Sequence, residues 1–204
     1  MSYHSRRMND RYLQLAVFRL NDMCVGVQEG MDRFLATAAL EKMPGVEATF
    51  SWLRKRGVRI CLLSDYNRAD TELLLRRLGW TVDETGTVQE IITKQKRYDN
   101  AIGLALEHAG LEGPGLCFAA VDTPRLLRQA SAARVHFALA VCNGRHTYQE
   151  LAVAPHHAML DSLIQLPNFL LEHLPETETR PPAPQAGGRF SLPRLRLPRP
   201  LSRR

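Results

Sequence analysis

Short apolar runs alternate along this chain with longer segments of helical period. The runs are LQLAVF (13–18), VRICLLS (58–64), LCFAAV (116–121) and VHFALAV (135–141), with a weaker one at HAMLDS (157–162). Their β-branched and large side chains predict five strands, the first ending at Phe18. The intervening segments predict helices. GVEATFSWLRKRG puts Val46, Phe50 and Leu53 on one face, with Pro44 in the turn before it and Gly57 as its stop. NRADTELLLRRLGW starts at the polar Asn67 and ends at Gly79, and RYDNAIGLALEHAG is closed by Gly110. TPRLLRQASAA offers Thr123 as N-cap and Pro124 at the first helical position. A last helical stretch, DSLIQLPNFLLEHL, is interrupted by Pro167 and ends near Leu174. Strand and helix in alternation build βαβ units, so the expected fold is a parallel sheet with right-handed crossovers and helices on both faces.

Length and composition set the scale. The chain has 204 residues, 45% of them hydrophobic, which suits one domain with a sizeable core. No run of eighteen apolar residues occurs, and the opening MSYHSRRMNDRY is too polar for a secretory signal. A soluble, cytoplasmic protein is therefore expected. Cys24, Cys61, Cys117 and Cys142 show no metal-ligand spacing and read as small buried hydrophobes. Cys24 is the exception to watch, since it lies beside the loop after the first strand. His156 and His157 are adjacent and lack a third ligand, so they read as ordinary surface or core histidines.

The charge is uneven. Residues 175–204 carry seven arginines against two glutamates, so +5 of the net +6 sits there and the body is nearly neutral. The same segment holds seven of the twelve prolines. Such a composition buries too little to offset the entropy of ordering. The expected organisation is an N-terminal extension (1–12), a core domain (13–174) and a disordered, basic Pro/Arg-rich tail (175–204). The tail could meet a protein partner, a nucleic acid or an acidic membrane surface.

In an open parallel sheet, ligands bind outside the carboxyl ends of the strands. That rule nominates Arg19, Asn21 and Asp22 after the first strand, Ser64 and Asp65 after the second, and Asp122 and Thr123 after the third. Lys94 and Lys96 lie in the loop before the third helix. A hydroxyl, a lysine and an aspartate converging on one point make an anion site, with the aspartate able to hold a hard cation such as Mg²⁺.

The segments PGVEATFSWLRKRGVRICLLSDYNRADTELLLRRLGW, AVDTPRLLRQASAARV, NGRHTYQEL and DSLIQLPNFL resemble the haloacid dehalogenase (HAD) superfamily, most closely its phosphonatase-like branch. The resemblance spans roughly residues 13–171. It implies an HAD-like, Rossmann-type α/β/α three-layer fold, with phosphate bound by Ser64 and by Lys96 or the nearby Lys94. The family's first motif is FDxDGT, in which the first aspartate attacks phosphorus and the second serves as acid and base. Here FRLNDM puts Arg19 at the nucleophile and Asn21 at the second position. Arginine stays protonated and asparagine carries no titrating proton, so neither does that work. Asp22 lies three residues on, where the loop is expected to have turned away from the strand end.

The fourth motif keeps Asp122 as a remnant metal ligand, but its second acidic position falls on Leu126 and its glycine on Val121. Arg97 stands where a proline follows the motif lysine. No cofactor is therefore expected, with Mg²⁺ only if activity survives. Neither Met23–Met43 nor Thr81–Gln95 is long enough for the family's inserted cap, so a capless core is expected and phosphonoacetaldehyde hydrolysis is not. The implied function is a catalytically degenerate HAD homologue acting in binding or regulation, through its uncapped face or its tail. The alternative is an HAD-type phosphohydrolase with weak or rerouted chemistry.

Overall fold

A computed structural model of the chain describes residues 13–26, 35–93 and 100–174. The N-terminal extension, the tail, and Lys94, Lys96 and Arg97 lie outside the described residues.

Six strands form one parallel sheet: β1 (Leu15–Arg19), β4 (Arg59–Ser64), β5 (Glu90–Thr93), β6 (Cys117–Val121), β7 (Phe137–Val141) and β8 (Ala158–Leu160), in the order β5-β4-β1-β6-β7-β8. A small antiparallel ribbon, β2 (Val25–Gly26) with β3 (Glu41–Lys42), stands apart from it. All five expected strands are present. The sixth, β5, is a four-residue edge strand. The first strand runs one residue past its expected end, because Arg19 stays in register with Leu63 of β4.

Both faces of the sheet are buried, and strand residues alternate between two cores. Ala16, Phe18, Ile60, Leu62, Phe118 and Leu139 point to one side, under α1 (Val46–Arg54), α2 (Arg68–Arg77) and α6 (Leu166–His173). There Phe18 meets the Phe50 ring at 5.2 Å and the edge of Phe118 at 5.9 Å. Leu15, Val17, Cys61, Ala119 and Ala138 point to the other side, under α3 (Ala101–Ala109), α4 (Pro124–Ala132) and α5 (Tyr148–Ala152).

Local signals set most helix starts. Asn67 and Thr123 cap α2 and α4 by accepting from the backbone N–H groups of Asp70 and Leu126. The short α5, absent from the sequence reading, is held by a capping box between Thr147 and Glu150. Pro167 interrupts nothing: a 3-10 turn over Leu163–Gln165 leads into α6, and the proline sits in the first helical turn, where its missing N–H costs no bond. Among the described residues, Met23–Met43 adds the β2–β3 ribbon and a bridge from Val25 to Asn21, and Thr81–Thr93 adds one bridge and β5, with no cap fold among them.

Candidate functional site

β1 is a central strand, flanked by β4 and β6, and the three carboxyl ends bring the loops after them together. Arg19, the last residue of β1, extends its guanidinium across these loops. Nη1 donates to Oδ2 of Asp122 at 2.8 Å, and Nη2 donates to Oδ2 of Asp65 at 2.5 Å. Asp22 Oδ2 lies 3.5 Å from the same Nη2 and pairs with Nε of Arg145 at 3.0 Å. The planar fork of arginine suits this task, since one side chain can satisfy carboxylates in two directions.

Burial makes the cluster electrostatically strong. Arg19 is 8% exposed and Asp122 is fully buried, whereas the Asp65 side chain is 43% exposed. Burial alone would lower the Arg19 pKa, but Asp122, Asp65 and Asp22 more than offset it and hold the guanidinium charged. Burial also pushes the Asp122 carboxyl up to about 6, outweighing the pull of Arg19. Among the described residues, two buried side-chain oxygens have no hydrogen-bond partner: Oδ1 of Asp122 and Oδ1 of Asn143.

Asp22 departs from expectation. Its backbone takes φ of 64°, a left-handed conformation that aspartate tolerates, and its N–H donates to Val25 O at 2.8 Å. That tight turn folds the side chain back toward Arg19 instead of carrying it away. Asn21 is a tether: its Oδ1 accepts from the Asp65 N–H at 2.9 Å, joining the loop after β1 to the loop after β4. Ser64 is fully buried and its Oγ accepts from Tyr66 N at 3.2 Å and from Thr71 Oγ1 at 2.8 Å. Cys24 is sealed in the core, where burial and the Asp122 charge push its thiol well up, so no thiolate forms there near neutral pH.

Asn143, Gly144 and Arg145, in the loop after β7, belong to the cluster and were missed. The strand-end rule would have found them had it been carried on to the fourth apolar run, which β7 realises. Asn143 Nδ2 donates to Met23 O at 3.3 Å, closing the loop over the first one. Gly144 presses on Asp122: a methyl group there would stand 2.7 Å from Asp122 Cγ and 2.8 Å from its Cβ. The Cβ is set by the β6 backbone and cannot swing aside. Gly144→Ala should therefore lose about 1–3 kcal/mol of stability, read as a lower urea midpoint; an unchanged midpoint would mean that the loop yields freely.

No family model matches the chain, and no curated protein matches its sequence. Solved structures do. A haloacid dehalogenase-like hydrolase from Bacteroides fragilis superposes with TM-score 0.60 at 17% identity, over 76% of this chain and 99% of its own. A predicted phosphatase from Clostridium acetobutylicum gives 0.66 at 13%, over 79% and 99%. CbbY from Rhodobacter sphaeroides, in complex with phosphate, gives 0.61 at 15%, over 76% and 96%. The fold is that of the haloacid dehalogenase-like hydrolases. On this HAD-like sheet, the Arg19 cluster lies outside the carboxyl ends of the strands, where open α/β sheets bind ligands. No helix among the described residues is long and apolar enough to cross a membrane.

Proposed function

We propose that this chain is a member of the HAD superfamily, of phosphonatase-like type, that has given up aspartyl-phosphate chemistry and works by binding or regulation. The observation that carries the reading is the Arg19 guanidinium at the end of β1, hydrogen-bonded to Asp65 and Asp122. A guanidinium has no lone pair with which to attack phosphorus, and Asn21 has no proton to cycle. Its three acceptors are the carboxylates that an added cation would need.

The fold implies Mg²⁺, and the residues do not fit it. Oδ2 of Asp122 already accepts from a fixed cation at 2.8 Å, and no group of three His, Cys, Asp or Glu among the described residues could hold a metal ion. A hard divalent ion needs about six oxygen ligands, and the positive charge of Arg19 would repel it from the few that are here.

A second reading rests on Asp22, whose left-handed turn aims a carboxylate at the same crevice. In it, Asp22 performs a residual phosphohydrolase reaction. Its bonds to Arg19 and Arg145 oppose this, because a nucleophile paired with two cations is a weaker one.

An aryl-phosphate assay with Mg²⁺ separates the two. The wild type is expected to be inert, and Arg19→Asp with Asn21→Asp to gain turnover of at least about 10²-fold over it, the size of effect attached to one well-placed catalytic group. Wild-type turnover that vanishes in Asp22→Ala would instead establish the second reading.

A further inference from the structure

Away from the ionic cluster, three grooves among the described residues differ in charge. One, of about 520 Å³, runs along α2 and the turn after it, where Arg68 and Arg76 balance Glu72 and Asp83. A second is a crease of only about 10 Å³ beside Trp52, Arg56 and Leu174. The third, of about 560 Å³, runs along α3 from Asn100 to the loop after it and meets the C-terminal end of α4 at Ala132 and Ala133. Its charged lining residues are Glu107 and Glu112, with no cation, and Leu106, Leu111, Pro114 and Ala133 supply apolar surface. An apolar trough with an unbalanced acidic rim fits a ligand that interleaves apolar side chains with cations.

We propose that residues 189–201 of this same chain, RFSLPRLRLPRPL, dock in the groove between α3 and α4. That segment places Arg194, Arg196 and Arg199 among Leu192, Leu195 and Leu197, and it contains no acidic residue. Leucine and proline side chains fill the trough while arginines meet Glu107 and Glu112. The charge of the lining selects this groove over the other two: the α2 groove is balanced, and the crease carries only Arg56.

Connectivity agrees. Leu174 lines the same crease as Leu13 and Val58, which lead into β1 and β4. One end of the groove, at Leu111 and Pro114, lies at that end of the sheet too. Gln14 N donates to Leu116 O at 2.7 Å, just beyond Pro114, and Arg59 donates to Ala109 O at 2.8 Å. The exit point lies on the α6 face and the groove on the α3 and α4 face, so the linker must pass round the end of the sheet, across layers packed about 10 Å apart. The fourteen intervening residues, 175–188, span up to about 46 Å when extended. Because the ligand is tethered, its effective concentration is on the order of millimolar, so weak contacts suffice. The proposal does not depend on whether the Arg19 cluster turns over phosphate.

The test is photo-crosslinking in the full chain, with benzoylphenylalanine at position 190 and adducts mapped by mass spectrometry. Adducts should concentrate on 103–114 and 128–134, and their yield should be independent of protein dilution. Charge reversal by Glu107→Lys with Glu112→Lys should cut the yield on the order of 10-fold, several ion pairs turning to repulsion. The tail variant Arg194→Glu, Arg196→Glu, Arg199→Glu leaves the folded body untouched and should do the same. Combining the two sets should restore the adducts. Adducts scattered over the surface, or indifferent to both reversals, overturn the proposal; a yield that rises with protein concentration assigns the groove to a second copy's tail and overturns it too.

Discussion

Arg19→Met is expected to lower stability by about 3–5 kcal/mol, the usual cost of removing one partner from a buried ion pair. The loss is not that of the bonds themselves. Methionine fills most of the space, but Asp122 is then left fully buried with neither oxygen partnered, since Arg19 Nη1 is the side-chain donor to its Oδ2. Asp65 is 43% exposed and turns to water at little cost. The penalty therefore sits on Asp122, and a second change should relieve it. The double variant Arg19→Met with Asp122→Leu should recover most of the loss, because both charges are then gone. Urea unfolding of the two singles and the double gives the coupling energy. A single-variant loss below about 1 kcal/mol, the scale of surface pairs, would show that the cluster is solvated and not structural.

Stability should also fall as pH rises through Asp122. The unfolded chain titrates this aspartate near 3.8 and the folded chain near about 6, chiefly because burial disfavours the charged form. Between those values the folded state holds more protons than the unfolded one, so stability drops with increasing pH. Asp122 thus weakens the fold least below pH about 4 and most above pH about 6, a difference of about 3 kcal/mol. Glu47, whose carboxyl is held low by the Lys42 ammonium and the Trp80 N–H, works in the opposite direction at lower pH. The comparison that isolates Asp122 is wild type against Asp122→Asn, with urea midpoints taken from pH 4 to 7. The asparagine variant should gain on the wild type across that range. Parallel curves would mean that Arg19 keeps the carboxylate ionised throughout.

The two effects are linked. Acid lets Asp122 take up a proton, so the penalty of Arg19→Met should shrink toward pH 4.

Particular residues show what was legible in advance. Val17, Leu62 and Ala119 sit in short runs with no polar position for several residues, and runs of that length between turn residues suit a strand covered on both faces. Thr123 followed by Pro124 is a helix start by side-chain chemistry alone. Strand β5 was not legible, since its four residues gain their place from pairing with β4. Helix α5, five residues long, is likewise too short for a period to emerge. Arg19 was read as lying beyond its strand because a charge ends an apolar run, yet its backbone pairs onward while its side chain finds partners 46 and 103 residues away.

The layered parallel α/β fold, the strand ends where chemistry would sit, and the presence there of an arginine and an asparagine were all legible in the residues alone. Those follow from local periodicity and capping, which act over a few residues. Packing brought about the rest: Arg19 spans Asp65 and Asp122, Asp22 turns back toward it, and the loop of Asn143 to Arg145 closes over them. Such contacts join residues far apart in the chain, and the burial that raises Asp122 toward 6 exists only once the three strand ends have met.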